Sequence, residues 1–228
     1  MSAKIGIIGK GNVGNALRQG LERATHEVRI VGNEPIAGRD IAAWSDVVIL
    51  AIPYSAINEI IRELGESLHN KVVVDVTNAL TTDYQLAIGF STSGAEELQR
   101  KIPTARVVKA FNTIFAEHMA SGQVKGEKLS LFAAGDDAGA KEQVLSLGRD
   151  MGFDAVDAGP LQNARQLEAL GYIFQYPTRL HIEYGDSDWI QAYPLNVNFA
   201  GIQQLKIKGQ LFPSFIGRPN KRPCMEGT

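Results

Sequence analysis

Three glycines near the amino terminus have the spacing of a pyrophosphate-binding turn. Gly9, Gly11 and Gly14 form the pattern G-x-G-x-x-G, directly after a short apolar run and at the start of a helical pattern. In such a loop the first glycine makes the tight turn, the second lets a pyrophosphate approach the backbone, and the third lets the helix pack on the strand. The pattern predicts a site for NADP or NAD, the alternative being a glycine-rich turn without a ligand.

The other residues of this loop would make the direct contacts to the phosphates. Backbone N–H groups in the first turn of a helix lack partners within the helix, and the helix dipole adds a partial positive charge there. We therefore expect the N–H groups of Asn12 and Val13 to face the pyrophosphate, with Lys10 completing the cofactor-binding loop.

The choice between NAD and NADP is made where the second strand of such a fold ends, about 20 residues past the third glycine. Asn33 and Glu34 occupy that place. Glu34 can accept hydrogen bonds from ribose hydroxyls and would repel a 2'-phosphate, whereas Asn33 can donate to either group. Arg39 would either clamp a 2'-phosphate or be a solvated side chain at a helix start. We expect weak selectivity or a preference for NADH.

The elements that would position this loop alternate between apolar runs and helical patterns. Runs typical of buried parallel strands are Lys4–Ile8, Glu27–Val31, Val47–Ile52, Val72–Val76, Arg106–Phe111, Leu129–Ala133 and Ala155–Asp157. Helical periodicity occupies Asn12–Leu21, Ile57–Leu68, Gly94–Lys101, Ala138–Met151 and Ala164–Gln175. This alternation predicts an α/β fold with a Rossmann-type doubly wound parallel sheet. Between the second and third strands only a short helix over Arg39–Trp44 is expected, because Pro35 and Gly38 precede it.

The length and composition of the chain are those of a globular protein of about one domain. It has 228 residues, of which 44% are hydrophobic and 21% are charged. We expect a dinucleotide-binding domain over residues 1–160, followed by a helical segment and tail over residues 161–228. That second part would cover the site of the molecule that exchanges a hydride with the dinucleotide, and it would form the contact between the subunits of a homodimer.

Charge and side-chain spacing exclude several other classes of function. A net charge of −2 gives no basic field for nucleic acid. The first apolar run is too short for a signal peptide or a membrane span, so we expect a cytoplasmic protein without a membrane partner. Cys224 is the only cysteine, and none of the four histidines has metal-ligand spacing, so no disulfide and no metal site are expected.

No catalytic acid or base is predicted, because hydride transfer between two bound rings depends on their alignment rather than on a proton donor. Lys109 and Asn112 do have the K-x-x-N spacing of the catalytic pair of β-hydroxyacid dehydrogenases. In that family the pair lies on a helix, whereas here Lys109 lies within an apolar strand pattern. The 68 residues that follow Pro160 are also too few for the large helical domain of those enzymes.

Several segments together resemble the NADP oxidoreductases that use the 8-hydroxy-5-deazaflavin coenzyme F420, with relatives in the reductase domains of membrane ferric reductases. The resemblance runs from Lys4 to about Phe174. Beside the glycine pattern, it rests on V-V-I-L-A-I-P at 47–53, K-A-F-N-T at 109–113, and D-A-G-P-L at 157–161 with L-E-A-L at 167–170. It implies hydride transfer between a nicotinamide dinucleotide and a small-molecule acceptor, coenzyme F420 or a flavin.

The resemblance also implies which residues bind the acceptor. One loop would place the ring against the nicotinamide, and a second would flank it from the other side; these are Gly159, Pro160 and Leu161, and Asn112, Thr113 and Ile114. Arg165 would either attract the phosphate or carboxylates of a deazaflavin tail or pair with Glu168 at i+3.

Ligands of open α/β sheets bind outside the carboxyl ends of the strands, and this rule predicts where the acceptor lies. Ile52 ends the third strand pattern and Pro53 and Tyr54 follow it, all three as cofactor-binding residues, while the two acceptor loops follow the fifth and the last strand patterns. We expect all three loops to converge on one crevice beside the nicotinamide. Two other functions stay open, an NAD(P)H-dependent reductase of a small carbonyl or imine and a non-catalytic dinucleotide-sensing protein.

Overall fold

The computed structural model describes residues 2–32, 34–81, 85–88 and 91–175, together with the pairs 206–207 and 210–211. Its first nine strands are β1 (Lys4–Ile8), β2 (Glu27–Val31), β3 (Val47–Leu50), β4 (Val72–Asp75), β5 (Arg106–Ala110), β6 (Gln123–Val124), β7 (Glu127–Lys128), β8 (Ser130–Gly135) and β9 (Asp154–Asp157). All seven predicted strands are therefore present, with ends shifted by two residues at most. The short strands β6 and β7 form a hairpin that the apolar pattern did not indicate.

Seven strands form one sheet in the order β2-β1-β3-β4-β5-β8-β9. The first five are parallel, with Ile5 opposite both Val28 and Val47. The predicted Rossmann-type doubly wound sheet is confirmed, and the strand order reverses between β1 and β3, where such sheets bind ligands.

The last two strands run in the direction opposite to the other five, which corrects the expectation of a wholly parallel sheet. Lys109 of β5 lies opposite Ala134 in an antiparallel ladder, and β9 is parallel to β8. The connection between β5 and β8 contains a four-residue helix and the β6–β7 hairpin. A parallel connection needs a crossover, usually a packed helix, and this segment supplies none.

The helices lie between the strands as the periodicity predicts. They are α1 (Asn12–Arg23), α2 (Pro35–Trp44), α3 (Ile57–Leu64), α4 (Gly94–Lys101), α5 (Ala116–Met119), α6 (Ala138–Met151) and α7 (Ala164–Gln175). Short 3-10 turns occupy Tyr54–Ala56, Gly65–Leu68 and Leu161–Asn163.

Helix α2 is longer than predicted, because the two residues expected to delay its start are both accommodated within it. Pro35 lies at the first turn, where a missing N–H breaks no helical hydrogen bond. Gly38 lies where α2 approaches α3 closely, since a Cβ there would be 3.3 Å from Leu64.

The core has two layers, one on each face of the sheet. Alternate residues of a strand point to opposite faces, so Ile7 and Ile49 join the layer under α1 and α6, while Ile8 and Val48 join the layer under α2, α3 and α4. Burial on both faces explains why the strands are continuous apolar runs. The rigid sheet leaves the loops at its edges free to carry the site.

The chain divides into two compact units, Met1–Asn196 and Val197–Thr228. In the second unit, β10 (Lys206–Ile207) pairs with β11 (Gln210–Leu211) in an antiparallel hairpin. Among the described residues no helix is long and apolar enough to span a membrane.

Candidate functional site

At two of the three loop glycines, neighbouring backbone atoms of the protein leave no room for a side chain. Gly9 has a φ of +119°, and a Cβ there would overlap the carbonyl oxygen of Ala51, which follows β3. A Cβ on Gly14 would overlap the carbonyl oxygen of Gly9. The first glycine therefore makes the tight turn and the third allows α1 to pack against the loop, as predicted.

Gly11 differs from the other two, because no protein atom lies within 4 Å of the place where its Cβ would be. Its φ of −72° is one that any residue adopts. The protein alone gives no reason for a glycine here, whereas a ligand that approaches the backbone at this point would require one.

The amino end of α1 beside Gly11 is suited to an anion. The helix has neither a side-chain cap nor an acidic residue in its first turn. Asn15 fixes the loop by donating from its side chain to the carbonyl oxygens of Lys10 at 2.7 Å and Gly11 at 3.2 Å. The first N–H groups of α1 and the open space over Gly11 thus fit a pyrophosphate.

The loops after β1, β2 and β3 are joined at this point. The N–H of Gly9 donates to the carbonyl oxygen of Val31 at 2.7 Å, and the N–H of Ala51 donates to that of Ile8 at 2.8 Å. These bonds place the glycine loop at the reversal point of the sheet.

Glu34 lies beside the glycine loop. Its Oε2 accepts the N–H of Gly32 at 2.9 Å, and its Oε1 lies 3.5 Å from Nζ of Lys10. Both side chains remain more than half exposed, so a ribose could reach them. Arg39 is exposed on α2 and its Nε donates to the carbonyl oxygen of Glu63, which favours the solvated alternative. Asn33 lies outside the described residues.

Tyr54 follows Ile52 and Pro53 and begins the short 3-10 turn after β3. Its hydroxyl donates to Oε2 of Glu97 at 3.0 Å, and its ring approaches Gly94, where a Cβ would lie 3.0 Å from it. Burial and, next, the hydrogen bond to Glu97 raise the pKa of Tyr54 well above its ordinary value. The phenol is neutral and can only position a ligand at ordinary pH.

Asn112 links three segments at the carboxyl edge of the sheet. Its Nδ2 donates to Oδ1 of Asn78 at 2.9 Å and to the carbonyl oxygen of Leu167 at 2.7 Å. Helix α7 fits closely there, because a Cβ on Gly171 would overlap Asn78 and lie within 2.9 Å of Asn112. Both amide hydrogens of Asn112 are thus used within the protein, and its Oδ1 is the atom left to face a ligand.

The turn that presents Asn112 is made by an unusual backbone. Phe111 has a φ of +63°, which is uncommon outside glycine. Its buried ring meets Phe153 edge to face at 5.9 Å, so core packing holds this conformation. Thr113 and Ile114 are almost fully buried behind the turn, and Ile114 belongs to the core.

A buried ion cluster beneath Asn112 was not predicted. Nζ of Lys109 lies 3.0 Å from Oδ2 of Asp75 and 3.2 Å from Oε1 of Glu168, and none of the three side chains is more than 5% exposed. Burial opposes the charge on Lys109, but the two carboxylates raise its pKa above the ordinary value. A charged lysine within a buried strand requires acidic partners, so a lysine in an apolar strand pattern is the feature of the sequence that indicates such a cluster.

The structure corrects the position of the second acceptor loop. Because β9 is antiparallel to β5, Gly159, Pro160 and Leu161 do not follow the carboxyl ends of β1 to β5. The carbonyl oxygen of Gly159 accepts from Gly135, which lies opposite Val108 in mid-strand. Leu161 is 2% exposed and belongs to the core. The expectation that this loop leaves the sheet at the same edge as the loops after β3 and β5 is wrong, and its contact with the acceptor stays a prediction.

Arg165 has a third partner that neither alternative included. Its guanidinium binds Glu96 of α4 through two hydrogen bonds, of 2.8 and 2.6 Å. The hydrogen bonds from Arg165 lower the pKa of Glu96 below its ordinary value. Glu168 binds Lys109 instead, so α7 is held against α4 and the sheet by two separate charges.

Within the described residues no group of three or more His, Cys, Asp or Glu side chains is placed to hold a metal ion.

Comparisons with known proteins agree with this architecture. Residues 34–79 match the model of the family described as NADP oxidoreductase coenzyme F420-dependent. The F420-dependent NADP reductase of Methanocaldococcus jannaschii is 31% identical over 150 residues, which cover 63% of this chain and 66% of that one. Metalloreductase STEAP3 of Rattus norvegicus is 29% identical over 179 residues, covering 73% of this chain and 36% of that one.

A solved structure extends the agreement to the fold. A putative F420-dependent NADP-reductase from Arthrobacter sp. FB24 superposes with a TM-score of 0.72 at 28% identity, covering 78% of this chain and 95% of that one. The chain thus spans about a third of the rat metalloreductase and just under two thirds of the M. jannaschii reductase. In sequence and in fold the chain is thus similar to NADP oxidoreductases described as coenzyme F420-dependent.

Proposed function

We propose that this protein transfers a hydride between NADP(H) or NAD(H) and a deazaflavin or flavin-like acceptor. The observation that carries the proposal is the open space over Gly11, next to an uncapped helix amino end. A pyrophosphate is the group that fits both features, because it needs close backbone approach and unpaired N–H donors.

The position of the pyrophosphate at Gly11 predicts where the two ends of the dinucleotide would lie. Glu34 and Lys10 lie on the β2 side of the glycine loop and would meet the adenosine ribose. The nicotinamide would then extend toward the ends of β3 and β5, which Tyr54 and Asn112 follow. Oδ1 of Asn112 can accept a hydrogen bond from the carboxamide, and the neutral Tyr54 adds an apolar wall.

The protein would act by orientation. The nicotinamide and the acceptor ring supply the hydride chemistry when they are bound. The crevice residues would hold one ring, and the turn at Phe111 would place Asn112 against it. No residue needs to exchange a proton at the reacting carbon.

The structure gives no comparable support to a carbonyl or imine reductase, which requires a proton donor near the substrate. Lys109, the lysine of the K-x-x-N spacing, is fully buried and donates to Asp75 and to the carbonyl oxygen of Thr77. It cannot reach a substrate. The names of the F420-dependent relatives support a deazaflavin acceptor instead.

An acceptor screen tests the proposal. Oxidation of NADPH and of NADH would be followed spectroscopically with deazaflavin, FAD, FMN and simple carbonyls. We expect turnover with the deazaflavin or a flavin, and loss of that turnover in Gly11→Val. Turnover with carbonyls alone would support the reductase alternative, and tight binding without turnover would support a dinucleotide-sensing protein.

A further inference from the structure

We propose that Lys109 is a positioning residue, which holds the acceptor side of the crevice in register for hydride transfer. The inference rests on the proposed function. It concerns a side chain that has no access to solvent and cannot touch a ligand.

The ammonium of Lys109 holds three different segments. It contacts Oδ2 of Asp75 at the end of β4, Oε1 of Glu168 on α7, and the carbonyl oxygen of Thr77. An ammonium has three hydrogens, and three partners use them all. Lys109 itself lies on β5, so one buried group ties β4, β5, the loop after β4, and α7 together.

Asp75 and Lys109 together fix the backbone of the loop after β4. Oδ1 of Asp75 accepts a hydrogen bond from the N–H of Thr77 at 2.9 Å, and Nζ of Lys109 donates to the carbonyl oxygen of Thr77. Both backbone polar groups of Thr77 are therefore held by buried side chains. The next residue is Asn78, whose side chain pairs with Asn112 at the crevice.

Glu168 fixes the position of α7 through contacts with Lys109 and with α4. Beside its contact with Lys109, it accepts the N–H of Gly94 at 3.0 Å and that of Ala95 at 3.3 Å, at the amino end of α4. The residue before Glu168 on α7 is Leu167, whose carbonyl oxygen accepts a hydrogen bond from the side-chain amide of Asn112. The position of α7 against Asn112 thus depends on the carboxylate of Glu168.

Lys109 and Asn112 therefore join the same three segments, which are the loop after β4, the segment of β5 and its following turn, and α7. Lys109 joins them in the core, and Asn112 joins them at the crevice. The cluster holds two carboxylates and one ammonium, and the amino end of α4 offsets part of the excess negative charge. Without Lys109, Asp75 and Glu168 would face each other in a buried space without a cation. Their repulsion would displace α7 and the loop that bears Asn78.

The test compares Lys109→Met with Lys71→Met. Lys71 also joins segments, since its Nζ donates to the carbonyl oxygens of Ala43 and Ser45, but it lies at the opposite edge of the sheet. Calorimetry gives dinucleotide affinity, and single-turnover kinetics with NADPH deuterated at the transferred position gives the rate and isotope effect of hydride transfer. Hydrogen exchange reports the protection of residues 76–79 and 164–172.

For Lys109→Met we expect dinucleotide affinity within about threefold of wild type, and a fall in the hydride-transfer rate of about a hundredfold, which is the order expected for a misplacement near 1 Å. The isotope effect should change and both segments should exchange faster. Lys71→Met should leave all of these readouts as in wild type. An unchanged rate and isotope effect in folded Lys109→Met would overturn the inference.

If Lys109→Met does not fold, Glu168→Gln replaces it, because it keeps the shape and removes the charge that binds α7 to Lys109. The same changes, smaller in size, are expected, and wild-type rate and exchange in Glu168→Gln would overturn the inference. If wild type reduces no acceptor, the proposed function fails separately. Exchange then decides on Lys109, since wild-type protection of residues 76–79 and 164–172 in both variants would refute its positioning role.

Discussion

The side chains of Asn78 and Asn112 pair across the ends of β4 and β5. Asn112 donates to Oδ1 of Asn78 at 2.9 Å, and Asn78 donates back to the carbonyl oxygen of Asn112 at 3.2 Å. Because the second amide hydrogen of Asn112 is bound to Leu167, this pair fixes the site loops and α7 at once. Asn112 is thus a structural link, and its Oδ1 takes part in neither of the hydrogen bonds that its side-chain amide donates.

Asn112→Ala should lower turnover with the true acceptor while dinucleotide affinity stays within a few fold, because the pyrophosphate site is elsewhere. It should also reduce the free energy of unfolding by about 2 to 4 kcal/mol, since two buried acceptors lose their donor. Acceptor kinetics, calorimetry and urea unfolding measure these effects. Asn58→Ala, at an exposed site on α3, is the control. A loss of dinucleotide affinity as large as the loss of turnover would contradict this role.

The sheet and the glycine loop could be predicted because each depends on local pattern. Apolar runs mark buried strands, and the glycine loop connects such a strand to the start of a helix. The direction of β8 could not be predicted, because an apolar run such as Leu131–Ala134 has the same composition in either direction. The error in placing Gly159 and Leu161 follows directly from that.

The partners of the buried charged side chains also could not be predicted from local sequence patterns. Arg165 and Glu168 have i,i+3 spacing, yet each binds a residue more than 50 positions away, Glu96 and Lys109. Sequence spacing finds neighbours along one helix, whereas these pairs exist only after α7 packs on α4. The alternatives considered for Arg165 therefore omitted the partner that it has.

Selectivity between the two dinucleotides should be weak or favour NADH, because the carboxylate of Glu34 is held beside the glycine loop by Gly32 and Lys10. Glu34→Arg should shift the ratio of dissociation constants toward NADPH by at least about tenfold, or 1.4 kcal/mol. Lys10→Ala should lower NADPH affinity more than NADH affinity, because Lys10 is the nearby cation. A wild-type preference for NADPH above about a hundredfold, 2.7 kcal/mol, would show that another group binds the 2'-phosphate.

The ion pair between Glu96 and Arg165 should make stability depend on pH. Hydrogen bonds from Arg165 lower the pKa of Glu96 in the folded state, so the unfolded chain binds more protons there. The stabilisation is fully present above the ordinary pKa of 4.5 and is lost as the pH falls through the lower folded value. In urea titrations the stability difference between wild type and Glu96→Gln should shrink as the pH is lowered. Glu127→Gln, an exposed site on β7, should show no such trend, and a difference that grows in acid would refute the assignment.

The protein should form a homodimer through the segment from Gln162 to the carboxyl terminus, because its aromatic side chains are numerous for a domain of this size. Those prompting the prediction are Tyr172, Phe174, Trp189, Phe212 and Phe215. Most of this segment lies outside the described residues. Light scattering at micromolar concentration should give twice the 24.8 kDa mass of the chain, and a monomer at that concentration would count against it.

The glycine loop gives the most direct test of dinucleotide binding, which is the central claim. A Cβ at Gly11 meets no protein atom within 4 Å, so Gly11→Val should fold with an unchanged melting temperature. Its affinity for NADP and NAD should fall by at least about a hundredfold, equivalent to 2.7 kcal/mol, because the side chain occupies the place of the pyrophosphate. Gly139→Val, in the first turn of α6, is the matched control and should bind as wild type does. Calorimetry that finds wild-type affinity in folded Gly11→Val would contradict the account.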